Sequence, residues 1–173
     1  MRHAKSAWDT DAPSDFERPL AKRGQHDAPR MGDWIKSQKL IPDFVVCSPA
    51  ERASQTALIV CQAFDFKKKK IKFDSRIYGA GTEDLLEVLA EVPRKCRVTL
   101  LVGHNPGLEF LFSHLTGPSA ALPSTEESYG DSYDNGVIKT ATIAQLRMPD
   151  DWSALKPGCA ALVTVKTPRD VES

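Results

Sequence analysis

Val98-Thr99-Leu100-Leu101-Val102, followed without a break by Gly103-His104-Asn105-Pro106-Gly107, decides the fold of this chain. The first five residues are a short, continuous apolar run of strand formers, the signature of a strand covered on both faces. Gly103 to Gly107 reads as a turn, and a helix follows from about Gly107 to Leu115. Strand, turn and helix in that order make half of a parallel α/β unit.

The same order appears upstream. Phe44-Val45-Val46-Cys47 is a second buried-strand pattern, and Ser48 then opens a helix with good start chemistry. Ser48 suits the N-cap, Pro49 the first helical position and Glu51 the third position of a capping box. Ala53, Ala57, Val60 and Phe64 continue that helix on one face. Arg52 falls in its first turn, where backbone N–H groups also favour anions. Ile71-Lys72-Phe73 reads as a short edge strand, Glu83 to Glu91 as a helix, and Thr140–Leu146 and Ala160–Val165 as two further strands. Met148 to Gly158 joins those two as a hairpin-like connection containing Trp152. Residues 7–18 read as a loop. A helix is expected near Met31–Gln38 with a turn before it, because Gly24, Pro29 and Gly32 interrupt the apolar stripe. Residues 117–136, rich in Ser, Pro, Glu, Gly and Tyr, read as a long loop or flap. The pattern predicts an α/β three-layer sandwich with a mostly parallel central sheet, one domain over residues 1–173 and no internal repeat.

Composition narrows the function. Hydrophobic residues make up 41% and charged residues 27%, as in ordinary globular proteins. Lys+Arg and Asp+Glu are both 23, so the net charge is zero, which argues against nucleic acid as a partner. Lys67 to Lys70 are the local exception and read as a solvated loop. Cys47, Cys61, Cys96 and Cys159 match no metal spacing, and free thiols point to a reducing compartment, the cytoplasm. No apolar run reaches the length of a membrane span, so no membrane partner is expected.

In parallel sheets, ligands bind beyond the carboxyl ends of the strands. Arg52 and His104 both lie just beyond a strand pattern, and His3 joins them if a strand precedes it. Met1-Arg2-His3-Ala4-Lys5-Ser6 alone is compatible with a solvated basic N-terminus. Taken with the two later stretches, it supplies a nucleophile and an anion clamp. Two arginines and two histidines describe a pocket for a dianion. Arg offers phosphate a planar fork of donors. Neutral imidazole can attack phosphorus. Arg2 and Arg52 are expected to lower the His3 pKa, and His104 to bond a phosphoryl oxygen. The guanidiniums then take the place of a metal ion. His114 reads as structural or solvated. The only nearby acids to nominate are Glu83 and Asp84, whose ordinary role would be charge at a helix N-terminus.

Four stretches in this order resemble the histidine phosphatase superfamily. They are Arg2-His3-Ala4-Lys5-Ser6, Asp15-Phe16-Glu17-Arg18-Pro19-Leu20 with Arg23-Gly24, Ser48-Pro49 with Arg52-Ala53 and Gln55-Thr56-Ala57, and Val102-Gly103-His104-Asn105-Pro106-Gly107. Within that superfamily the chain is most similar to the small SixA-type phosphohistidine phosphatases, and Pro168-Arg169-Asp170 resembles the tail of that group. The resemblance implies a phosphoglycerate mutase-like fold and a covalent phosphohistidine on His3. It also implies a phosphate pocket of Arg2, Arg52 and His104, no metal and no cofactor. Arg18 either borders that pocket or shapes its loop through a salt bridge. The substrate is expected to be a phosphorylated protein, carrying phosphohistidine, or a small phosphorylated molecule. Short connections between Phe64 and Val98 suggest an open site that a protein surface can reach. The alternatives are a small-metabolite phosphomonoesterase, a mutase-like phosphotransferase and a non-catalytic phosphate-binding module. One departure stands out: such proteins carry an apolar strand before the Arg-His pair, and here only Met1 precedes it. The expectation is that residues ahead of Met1 are missing from the sequence.

Overall fold

The computed structural model describes residues 1–117 and 138–171. The expected loop at 117–136 lies, apart from Gly117, outside the described residues. Among the described residues there are five strands: β1 (Phe44–Cys47), β2 (Ile71–Phe73), β3 (Thr99–Val102), β4 (Ile143–Arg147) and β5 (Ala161–Lys166). The helices are α1 (Lys22–Ser37), α2 (Glu51–Gln62), α3 (Thr82–Ala90) and α4 (Gly107–Thr116).

The strands form a parallel sheet in the order β2-β1-β3 and an antiparallel β4-β5 hairpin. Val45 sits opposite both Ile71 and Leu100. The first residues of the chain join the two sheets. Gly103 N–H donates to the Met1 carbonyl at 3.1 Å and His3 N–H to the Gly103 carbonyl at 3.0 Å. On the other side, Arg2 N–H donates to the Thr142 carbonyl at 3.1 Å and Ala141 N–H to the His3 carbonyl at 3.0 Å. Arg2 is thus in parallel register with Gly103, as a short piece of central strand would be. Beside it, between β3 and β4, is a cavity of about 620 Å³ lined by residues including Leu100, Leu101, Ile143 and Leu146. Met1 and Arg2 border this cavity, whereas His3, Arg52 and His104 do not.

Alternate strand residues point to opposite faces. Val45, Cys47, Leu100 and Val102 therefore pack with Met31 and Ile35 of α1 and Ala53, Ala57 and Val60 of α2. Val46 packs on the other face with Leu85 and Val88 of α3 and Leu108 and Leu111 of α4. Helices thus cover both faces of a mostly parallel sheet, which explains why β1 has no polar position. Fully burying a Val or Leu side chain is worth about 1.5–3 kcal/mol, so these two layers hold the strand ends in place.

Two helix boundaries differ from expectation. α1 starts at Lys22 and runs through Gly24, Pro29 and Gly32. The glycines are close-approach positions and not breaks. A Cβ on Gly32 would lie 2.7 Å from the Val60 carbonyl oxygen and 2.8 Å from Ala63 Cβ, and one on Gly24 would meet the Lys5 carbonyl. Pro29 is exposed, so the carbonyl it leaves unpaired, on exposed Gln25, can be solvated. The second helix begins at Glu51 with Ala50 as N-cap, and no side chain caps it. Ser48 is not its cap; the hydroxyl accepts from Ala50 N–H, ahead of the helix, at 3.3 Å and meets His104 Nε2 at 2.8 Å.

Candidate active site

The backbone bonds of Met1–His3 fix His3 beside the end of β3. The residue is 8% exposed, and its Nδ1 lies 2.8 Å from the Ala4 carbonyl. A carbonyl only accepts, so Nδ1 carries the proton and Nε2 keeps its lone pair. Arg52 Nε–H points at that lone pair from 3.3 Å. α2 holds this arrangement: Ala4 N–H donates to Thr56 Oγ1 at 2.9 Å, and Thr56 Oγ1 donates to the Arg52 carbonyl at 2.6 Å.

His104 follows Gly103 immediately, and its ring centroid is 5.1 Å from that of His3. Its Nε2 shares a hydrogen bond with Ser48 Oγ at 2.8 Å, while its Nδ1 is buried without a partner among the described residues. Arg2 Nη1 donates to the Ile138 carbonyl at 2.8 Å, and Asn105 Nδ2 reaches the same carbonyl at 2.9 Å.

Burial lowers the His3 pKa to about 3, with His104, Arg52 and Arg2 adding to the effect against the Ala4 hydrogen bond. Loss of solvation, and not the expected effect of the two arginines, is the larger cause of this shift. Burial, with Arg52 and Arg2, likewise lowers His104 to about 4. Both imidazoles are therefore neutral at physiological pH.

His3, Arg2, Arg52 and His104 do come together. Arg18 sits one layer out and shapes the loop. It donates to Ala7 O (2.9 Å), Ser6 Oγ (2.7 Å) and Asp15 Oδ1 (2.6 Å), and its guanidinium lies 3.5 Å from the Trp8 ring centre. Asp84 accepts from Gly81 N–H at 2.8 Å, which is the helix-terminus role. Glu83 is exposed beside it. His114 Nε2 is 3.3 Å from the Leu155 carbonyl, in keeping with a structural role.

Reading the residues alone missed three neighbours. Asp15 opens the short 3-10 turn Asp15–Glu17. Its Oδ2 accepts from Arg52 Nη2 at 2.9 Å and from Tyr78 O–H at 3.0 Å, and its carbonyl accepts from Arg52 Nη1 at 2.5 Å. Although burial opposes it, bonding to Arg18, Arg52 and Tyr78 holds the Asp15 carboxyl below its usual range. Tyr78 stands beyond the end of β2 and meets His104 edge-on, with ring centroids 5.5 Å apart. Ser48, just after β1, is the third. The stretch Asp15–Leu20 was a recognisable signal for Asp15; nothing local marked Tyr78. Among the described residues no cluster of three or more His, Cys, Asp or Glu side chains could hold a metal ion.

The profile of the Histidine phosphatase superfamily (branch 1) matches residues 1–78, the part carrying Arg2, His3 and Arg52. The chain belongs to the histidine phosphatase superfamily. An uncharacterized protein of Mycobacterium tuberculosis is 34% identical over 172 residues, covering 98% of this chain and 100% of that protein. The phosphohistidine phosphatase SixA of Escherichia coli is 43% identical over 56 residues, 32% of this chain and 34% of that one. The crystal structure of a candidate phosphohistidine phosphatase SixA from Agrobacterium tumefaciens superposes with a TM-score of 0.77 at 27% identity, covering 97% of this chain and 95% of its own. This superfamily member therefore has the SixA-like, phosphoglycerate mutase-like fold. Among the described residues no helix is long and apolar enough to cross a membrane.

Proposed function

We propose that this chain, as one domain over residues 1–173, removes a phosphoryl group from phosphohistidine of a protein through a covalent phosphohistidine on His3, without a metal ion. The observation that carries this reading is the His3 ring: Nδ1–H is held by the Ala4 carbonyl and Nε2 presents its lone pair beside Arg52. In the first step Nε2 attacks phosphorus and the P–N bond to the substrate imidazole breaks. That ring takes a proton from solvent and leaves neutral. The positive charge developing on the His3 ring is stabilised by the Ala4 carbonyl. In the second step water attacks phosphorus, the P–Nε2 bond breaks, and inorganic phosphate leaves as the water gives its proton to solvent. Arg2 and Arg52 offset the charge on the phosphoryl oxygens, and a bound oxygen would satisfy the buried Nδ1 of His104. Four free cysteines agree with a reducing compartment, the cytoplasm.

An alkoxide leaving group needs a well-placed acid, and the carboxylate that touches Arg52, Asp15, is held ionised. This favours a phosphoramidate over an alkyl ester. The test compares kcat/KM for a phosphohistidine peptide and a sugar phosphate in wild type and Glu83→Gln, with and without EDTA. Preference for the peptide, unchanged by either perturbation, is expected. Preference for the sugar phosphate, lost in Glu83→Gln, would make the protein a metabolite phosphatase with Glu83 as its acid.

A further inference from the structure

The geometry points to Tyr78 and Phe16 as the platform that receives the leaving group, selecting substrates whose phosphoryl group is carried on a flat ring. This rests on the phosphatase reading above and adds the residues that choose the substrate.

Tyr78 and Phe16 pack edge to face, with centroids 5.0 Å apart and planes at 84°. Both residues are 38% exposed, and each is fastened to the site. Tyr78 meets His104 edge-on at 5.5 Å, lies 5.9 Å from the Arg52 guanidinium and donates its O–H to Asp15 Oδ2 at 3.0 Å. Phe16 is the residue after Asp15, in the same 3-10 turn. Asp15 therefore ties the two aromatics to the guanidinium. Exposed aromatic surface held rigidly beside charged groups is a feature of recognition sites.

Displacement at phosphorus is in line, so the departing group lies opposite His3 Nε2. His3 is buried, so a departing group carried on a protein must extend toward solvent, and Tyr78 and Phe16 are exposed aromatic residues beside His104 and Arg52. A ring leaving there can meet their faces or edges. Such aromatic contacts are worth about threefold to tenfold in affinity. A leaving group without a ring gains nothing from them.

The experiment measures kcat/KM for a phosphohistidine peptide, an aryl phosphate and ringless phosphoramidate, in wild type, Tyr78→Ala, Phe16→Ala and Tyr78→Phe. The quantity read is the ratio of each ring substrate to phosphoramidate. Tyr78→Ala and Phe16→Ala should lower both ratios about threefold to tenfold, and Tyr78→Phe, which keeps the ring, should preserve them. Ratios unchanged in both alanine variants would overturn the platform and leave the rings as supports for His104 and Arg52. If wild type does not turn over the phosphohistidine peptide, the proposed substrate falls. The aryl phosphate to phosphoramidate ratio then decides the platform by itself.

Discussion

A histidine attacks phosphorus only as neutral imidazole, and burial keeps His3 in that state at a cost to stability in acid. The pKa values of His3 and His104 are lowered from 6.5 to about 3 and about 4. Below pH 6.5 the unfolded chain takes up protons that the folded one does not, so stability falls as pH falls from 6.5 toward 4. The slope is about 1.4 kcal/mol per pH unit for each such proton. Urea unfolding at pH 7 and pH 5 should show the loss, and His3→Gln or His104→Gln should each remove about one proton from the slope. Equal slopes in wild type and both variants would mean that the imidazoles are solvated. The type of each central residue could be read from sequence, but the partner of each could not. Ser48 had ideal helix-cap chemistry, yet its hydroxyl meets His104 because the strand end brings the two together. Asp15 lies 37 positions from Arg52, and no local pattern reports such a distance.

At the scale of elements, α1 and α2 are held close by a glycine. The stripe Met31, Trp34, Ile35 is legible, but Gly24, Pro29 and Gly32 suggested a shorter helix than the sixteen residues found. Propensity counts each glycine as a loss of about 1 kcal/mol relative to alanine. Packing reverses the sign at Gly32, because the atoms a Cβ would meet include the Val60 carbonyl, which cannot rotate away. Gly32→Ala should gain at most about 1 kcal/mol in propensity and lose about 1–3 kcal/mol to overpacking. The net expectation is a melting temperature lower by a few degrees in a chain of this size, measured by thermal denaturation. A raised melting temperature would show that α1 can shift away from α2 without penalty.

At the scale of the whole molecule, residues far apart in sequence converge because strand ends converge. Arg52 follows β1, Tyr78 follows β2 and His104 follows β3, while His3 joins the same edge through its bonds to Gly103 and Ala141. The alternation of short apolar runs with helical stretches made the parallel sheet legible, since only buried strands lack polar positions. The join between β3 and β4 was not legible in the same way, because Met1–His3, which make it, are too few to show a strand pattern. All of this architecture serves one claim, that His3 Nε2 carries the phosphoryl group during turnover. Rapid mixing with an isotopically labelled phosphohistidine peptide, quenching in base and mapping the label by mass spectrometry tests it most directly. Acid-labile, base-stable label is expected on His3 and absent from His3→Ala, with turnover in that variant reduced on the order of 10³-fold or more. Full activity in His3→Ala, or label on another residue, would contradict it.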